Sequence, residues 1–271
     1  MGMLRWLNRH RWGFALLCAV PALLLAAVSR TWRVGAVFLV WIPLAIAVAW
    51  LYFTALEKEM NQAQEALERC DPEPLLRTSR ELAEHFPLET PRTRSVGISL
   101  RLNESTALLS MGRVGEAARL LDELEPWVQT SAGPNRATWL LNRAAAALRE
   151  EDVPRARQFL EEAERTVEAM APEDRKASAW EAILGRYRWQ LRFLEKEDPA
   201  QLLEEVCSWL ERPESLRLQV MDHYHAACCL RAMGRTEEAC PHLEFAADFG
   251  GLEIRRRAAN LLEELRRPET P

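Results

Sequence analysis

Six side chains able to bind a metal or act as nucleophiles crowd one short stretch: His223, His225, Cys228, Cys229, Cys240 and His242. A zinc site would need about four such ligands converging on one point. On a helix His223 and His225, two apart, point to opposite sides, whereas His225 and Cys229, four apart, share a face. Cys240 falls across the turn at Gly234, roughly level with Cys229. A site made of His225, Cys229 and Cys240 is therefore geometrically conceivable. The spacing contains no CxxC, however, and a thiol is a good small core residue. We read these cysteines as core and expect no bound metal or cofactor.

No other motif promises chemistry. There is no GxxxxGK or GxGxxG to cradle a phosphate, no HExxH and no GxSxG. The glutamates recur three or four residues from arginines, as Glu161 and Glu162 do from Arg165, which is the pattern of solvated helix faces. Arg255, Arg256, Arg257, Arg266 and Arg267 form basic clusters. They read as a solvated face and a helix C-terminus, with an anionic lipid or acidic partner as the functional alternative. We expect no catalytic residue, no enzyme activity and no small-molecule substrate.

Two unlike segments must carry these residues. Residues 1–56 hold five arginines, five of the ten tryptophans and no Asp or Glu, whereas all 40 acidic residues lie in 57–271. The acidity of 57–271 speaks against nucleic acid, which needs a basic face. Within 1–56, the charge-free runs Trp12–Val28 and Val34–Leu56 flank the polar turn Ser29–Arg33. At about 1.5 Å per helical residue they span roughly 26 and 34 Å, close to the thickness of a hydrocarbon core. We therefore expect a membrane anchor over 1–56, with transmembrane helices at about 12–29 and 34–56 contacting lipid. A cleaved signal peptide or a re-entrant hairpin is the alternative for the first run. Arg5, Arg9 and Arg11 before the hairpin outnumber Arg30 and Arg33 in its turn, which places both termini in the cytoplasm. The unpaired cysteine count beyond residue 56 agrees with a reducing compartment.

From Glu57 on, apolar residues recur at three and four, and no alternating strand pattern occurs. Asp71-Pro72, Thr90-Pro91 and Asp198-Pro199 mark helix starts, and Gly112 and Gly234 mark helix ends. These signals predict helices near 56–69, 72–86, 91–111, 114–128, 134–150, 153–170, 173–195, 199–211, 214–233, 236–248 and 252–267. Short links make neighbours antiparallel.

The hairpins repeat. STALLSMGRVGEAARLLDEL at 105–124 and AACCLRAMGRTEEACPHLEFA at 226–246 both carry Met-Gly-Arg, two residues, then Glu-Ala. They resemble tetratricopeptide repeats. Gly112, Ala117, Leu121 and Leu124 match that pattern in one unit, and Gly234, Ala239, Leu243 and Ala246 in another. Ala156, Leu160 and Ala163 match in a third, where Glu151 replaces the turn glycine. The anchors Leu76, Ala117, Ala156, Leu202 and Ala239 lie 41, 39, 46 and 37 residues apart, longer than the family period of about 34.

The fold class expected is thus all-α: two transmembrane helices, then a soluble domain over 57–271 that is an α-solenoid of TPR-like antiparallel helix pairs. The resemblance implies a scaffold or adaptor that binds a protein or peptide along a concave groove. Its inward positions would be Leu102, Thr106, Leu109, Tyr224, Cys228 and Arg231. The alternative is a structural or assembly membrane protein that oligomerises through Ala-rich faces of the hairpin, Ala22-Ala26 and Ala45-Ala49.

Overall fold

A computed structural model describes residues 33–129, 133–172, 180–212 and 214–266. The described residues are helices and turns, with no strand among them. The chain divides at residue 62 into two compact units. Helix α1 (Arg33–Glu68) begins in the first and ends in the second. It takes in the apolar run 34–56 and the predicted helix 56–69 as one helix, and Pro43 does not break it. The other apolar run, 12–29, lies outside the described residues. Among the described residues no helix is long and apolar enough to cross a membrane.

The second unit continues with α2 (Glu73–Ala83), α3 (Arg94–Ser110), α4 (Val114–Val128), α5 (Pro134–Arg149) and α6 (Val153–Glu168). Then come α7 (Trp180–Leu194), α8 (Pro199–Leu210), α9 (Leu216–Ala232), α10 (Thr236–Phe249) and α11 (Leu252–Arg266). Asp198 caps α8 by accepting from the Ala200 N–H at 3.0 Å, and Asp152 caps α6 through the Arg155 N–H at 3.2 Å. Thr90-Pro91 does not start a helix. The chain first makes a turn, with the Thr93 N–H donating to the Thr90 carbonyl, and α3 begins at Arg94.

One turn recurs five times. Cys70, Gly112, Glu151, Lys196 and Gly234 have φ of 66°, 75°, 57°, 65° and 76°. In each case the N–H of that residue donates to the carbonyl three back, and the next N–H donates to the carbonyl five back. This is the Schellman ending, which satisfies the last carbonyls of a helix while reversing the chain. The five turns lie 42, 39, 45 and 38 residues apart. They join α1 to α2, α3 to α4, α5 to α6, α7 to α8 and α9 to α10. Five residues after the turn a buried side chain locks the second helix: Leu75, Ala117, Ala156 and Ala239. Four and seven further on are Ser79 and Leu82, Leu121 and Leu124, Leu160 and Ala163, Leu243 and Ala246, all buried. On α8 the register slips by one, to Leu202 and Val206. The aligned residue on α2 is Leu75 rather than Leu76.

From α2 on, successive helices pack side by side, and the first helices of neighbouring pairs also touch, α3 on α5 and α5 on α7. A buried ion pair ties α7 to α9: Arg186 donates to both Asp222 oxygens at 2.7 and 2.6 Å, and also to Glu214. Its guanidinium lies 5.1 Å from the ring centre of Trp209 on α8. Helix α11 packs on α9 and α10 and reaches back to α3, which is far away in sequence.

Candidate functional site

The first helices of all five pairs turn one face to a common chamber of about 90 Å³, and α11 supplies the remaining wall. Leu67 and Cys70 come from the end of α1, Thr106 and Leu109 from α3, Asn142 and Arg149 from α5. Tyr187 and Gln190 come from α7, and Arg217, Val220, Met221, Tyr224 and His225 from α9. Gly251, Glu253, Ile254 and Arg257 belong to α11 and the turn before it. Side chains three and four apart on a helix share a face, so Val220, Tyr224 and Arg217 reach the chamber together.

Its floor is tied by a polar network. Asn142 Nδ2 donates to Ser105 Oγ at 2.8 Å, to Thr106 Oγ1 at 2.9 Å and to the Leu102 carbonyl at 3.1 Å. Such satisfied buried amides hold two helices in one register. Charges line the α11 side. Glu253, 4% exposed, accepts from Arg149 Nε at 2.8 Å on one oxygen and pairs with Arg257 Nη2 at 2.6 Å on the other. Arg217 pairs with Glu68 at 3.2 Å. Burial pushes the Cys70 thiol up, and the Gly251 N–H, which donates to it, pulls it partly back. A Cβ at position 251 would crowd the Cys70 carbonyl oxygen at 3.2 Å.

The six residues assigned to the groove are placed in three settings. Thr106, Leu109 and Tyr224 line the chamber. Leu102 is core, 1% exposed, and meets the chamber only through its carbonyl, which accepts from Asn142 and Thr106 of the lining. Cys228 sits against Tyr224 behind the wall, its thiol pushed up to about 11 by burial. Arg231 pairs across the α9–α11 seam with Glu264 at 3.1 Å.

The histidine and cysteine cluster is divided. Cys229 is buried with Trp189, Leu202, Val206 and Ala226. Cys240 packs instead against the cluster of Val220, Ala239 and Leu243. His225 stacks on Trp189 at 4.2 Å between ring centres. His223 and His242 meet Nδ1 to Nδ1 at 2.9 Å, and Phe245 stacks on His223 at 4.1 Å. Burial holds His223 down at about 4 and lowers His242 too, so both rings are neutral at pH 7, one donating and the other accepting. Among the described residues no three His, Cys, Asp or Glu side chains gather as a metal cage would require.

Arg149, Arg217 and Glu253 were not legible as site residues. Arg149 ends a helix and Glu253 begins one, where a cation and an anion are expected for the helix dipole alone. The basic cluster at 255–257 did contain a signal: Arg255 and Arg256 are exposed, while Arg257 turns inward to Glu253.

The described residues thus form an all-α chain of helix pairs stacked around an inward-facing chamber. The chain matches no protein-family model, no curated protein and no solved structure.

Proposed function

We propose that this chain is a membrane-tethered binding scaffold whose TPR-like helix pairs present their concave face to a protein or peptide partner. The observation that carries the reading is the convergence of five first helices on one chamber. Stacked hairpins bury their other faces against one another and leave this inner face as the recognition surface. Three residues expected there from the repeat pattern, Thr106, Leu109 and Tyr224, line it. The tether is supported by the charge-free runs 12–28 and 34–56. The helical backbone of 33–56 and the exposure of Leu44, Trp50 and Leu51 support it further. Exposed apolar side chains on a helix call for a lipid or protein cover. Confinement to a bilayer raises the effective concentration of the scaffold for partners at the same surface. On this reading it is an integral membrane protein with the helical-repeat domain on the cytoplasmic side.

The test is photocrosslinking in cells with the full chain. A crosslinker at Thr106 or Tyr224 should trap a discrete protein, whereas one at the exposed outer positions Arg119 or Gln158 should not. Carbonate-washed membranes should retain the chain. Equal crosslinking from inner and outer positions, or release by carbonate, refutes the proposal.

A further inference from the structure

The chamber carries a charge imbalance that the fold itself does not settle. Its lining holds three arginines, Arg149, Arg217 and Arg257, and one carboxylate, Glu253. Glu253 has spent both oxygens: Oε2 on Arg149 at 2.8 Å and Oε1 on Arg257 at 2.6 Å. One anion therefore faces two cations, and the Glu253 and Arg149 side chains are only 5% and 17% exposed. Arg217 has its own partner in Glu68, which is 44% exposed and so screened by solvent. The charge left over therefore rests on Arg257, 38% exposed and the more open partner of the buried Arg149–Glu253 pair, where its guanidinium is within reach of an arriving anion.

A second polar group beside the same cavity also lacks a partner. His225 lines the chamber, is 6% exposed, and its Nδ1 makes no hydrogen bond. Buried polar atoms are nearly always paired, and one that is not marks a place where a ligand or water belongs. The rest of the wall is largely apolar, with Leu109, Val220, Met221 and Ile254 facing Tyr187 and Tyr224. The enclosed volume of about 90 Å³ is smaller than the ~150 Å³ cavity that holds benzene.

We propose that the chamber is a binding site for a small organic acid. Its carboxylate or phosphate takes the positive charge left over at Arg149, Glu253 and Arg257, and its short apolar body lies among the aliphatic and tyrosine side chains. This rests on the concave face being a recognition surface and adds a second ligand class to it. The acid neutralises the wall that α11 contributes.

The test uses the full chain in non-ionic detergent, with thermal unfolding as the readout. Propionate should raise the midpoint saturably at millimolar concentration; 1-propanol and propylammonium should not. Arg257→Gln should raise the half-saturating concentration by about tenfold or more, the equivalent of one lost charged contact. Arg149→Gln should do the same, and Arg257→Gln stands as the less buried site should Arg149→Gln fail to fold. Arg231→Gln, outside the chamber, should leave the titration unchanged. The site is overturned if 1-propanol stabilises as well as propionate, if the response follows phosphatidate micelles alone, or if Arg257→Gln titrates like the parent. Propionate binding without any crosslinked protein would sink the scaffold reading and leave this one standing; crosslinking without propionate binding would do the reverse.

Discussion

At the residue scale, His225 links the chamber to the stability of the fold. Its ring is buried against Trp189, and its pKa is held down at about 3, by burial first and by the nearby Arg186 cation second. In the unfolded chain a histidine titrates near 6.5. Between those values the unfolded state binds a proton and the native state does not, so stability rises with pH there. The contribution is complete above about pH 6.5 and is lost as pH falls toward 3. Asp222 works against it, because burial lifts its carboxyl to about 6 despite Arg186. The prediction is therefore a difference: His225→Phe keeps the stack and removes the titration. Urea unfolding from pH 7 to 4 should show the parent losing up to about 1.4 kcal/mol per pH unit relative to His225→Phe. Parallel stability curves for the two proteins would show that the buried ring bears no such penalty. In the sequence His225 stood out only as a conceivable metal ligand, on its four-residue spacing from Cys229, a reading set aside for want of a ligand framework. Burial against Trp189, a residue 36 positions away, was outside the reach of local spacing.

Helix pairs are the next scale, and their turns make a graded series. A left-handed backbone costs an L-residue about 1–2 kcal/mol that glycine does not incur, while glycine gives up roughly 0.5–1 kcal/mol of chain entropy. Glu151 at φ 57° should gain about 0.5–1 kcal/mol on replacement by glycine. Gly234→Ala, which meets open space, should lose about 1 kcal/mol. Gly112→Ala should lose more, since its Cβ would come within 3.3 Å of the Glu253 side chain. Chemical denaturation of the three variants gives the ordering; a Glu151→Gly no more stable than the parent would mean the turn is not under strain. The same turns explain how much of the architecture could be read beforehand. Helix limits from Gly112 to Arg266 were legible within a few residues, apart from the start expected near 173, which lies outside the described residues, because glycines, Asp-Pro caps and apolar spacing act locally. The repeat itself was plainest where the turn residue is glycine, and looser in the unit whose turn residue is Glu151. Cys70 and Lys196 make the same turn with no compositional sign, so the α1–α2 and α7–α8 units looked degenerate. On α2 Leu75 and Leu76 are both buried, and apolarity alone could not choose between them.

Within residues 63–271 the decisive feature is long-range and left no local trace. Arg149 and Glu253 are 104 residues apart, Arg217 and Glu68 149 apart. The first brings the last helix against α5, beside its contact with α3, and the second ties α9 to the end of α1, so that a row of hairpins becomes a walled chamber. An ordinary end-capping helix would touch only the pair before it and would leave the groove open. The two possibilities diverge on Glu253. Glu253→Gln removes the charge that holds Arg149 and Arg257 together while keeping the side-chain volume. Losing one partner of a buried ion cluster costs on the order of 3 kcal/mol, and here that loss falls on the α11 seam. Hydrogen exchange should quicken along α11 and at the α3 end near Gly112, with α4 and α6 unchanged. Cys70, half-buried and hydrogen-bonded to the Gly251 N–H, should then react faster with a thiol reagent, followed peptide by peptide against the exposed Cys207 as an internal standard. If exchange quickens only in α10 and α11 while Cys70 labelling holds its parent rate, the last helix is a cap and the chamber owes nothing to it. If both change together, the wall is a separable element, and a partner that competes for Arg149 and Arg257 has a route into the groove.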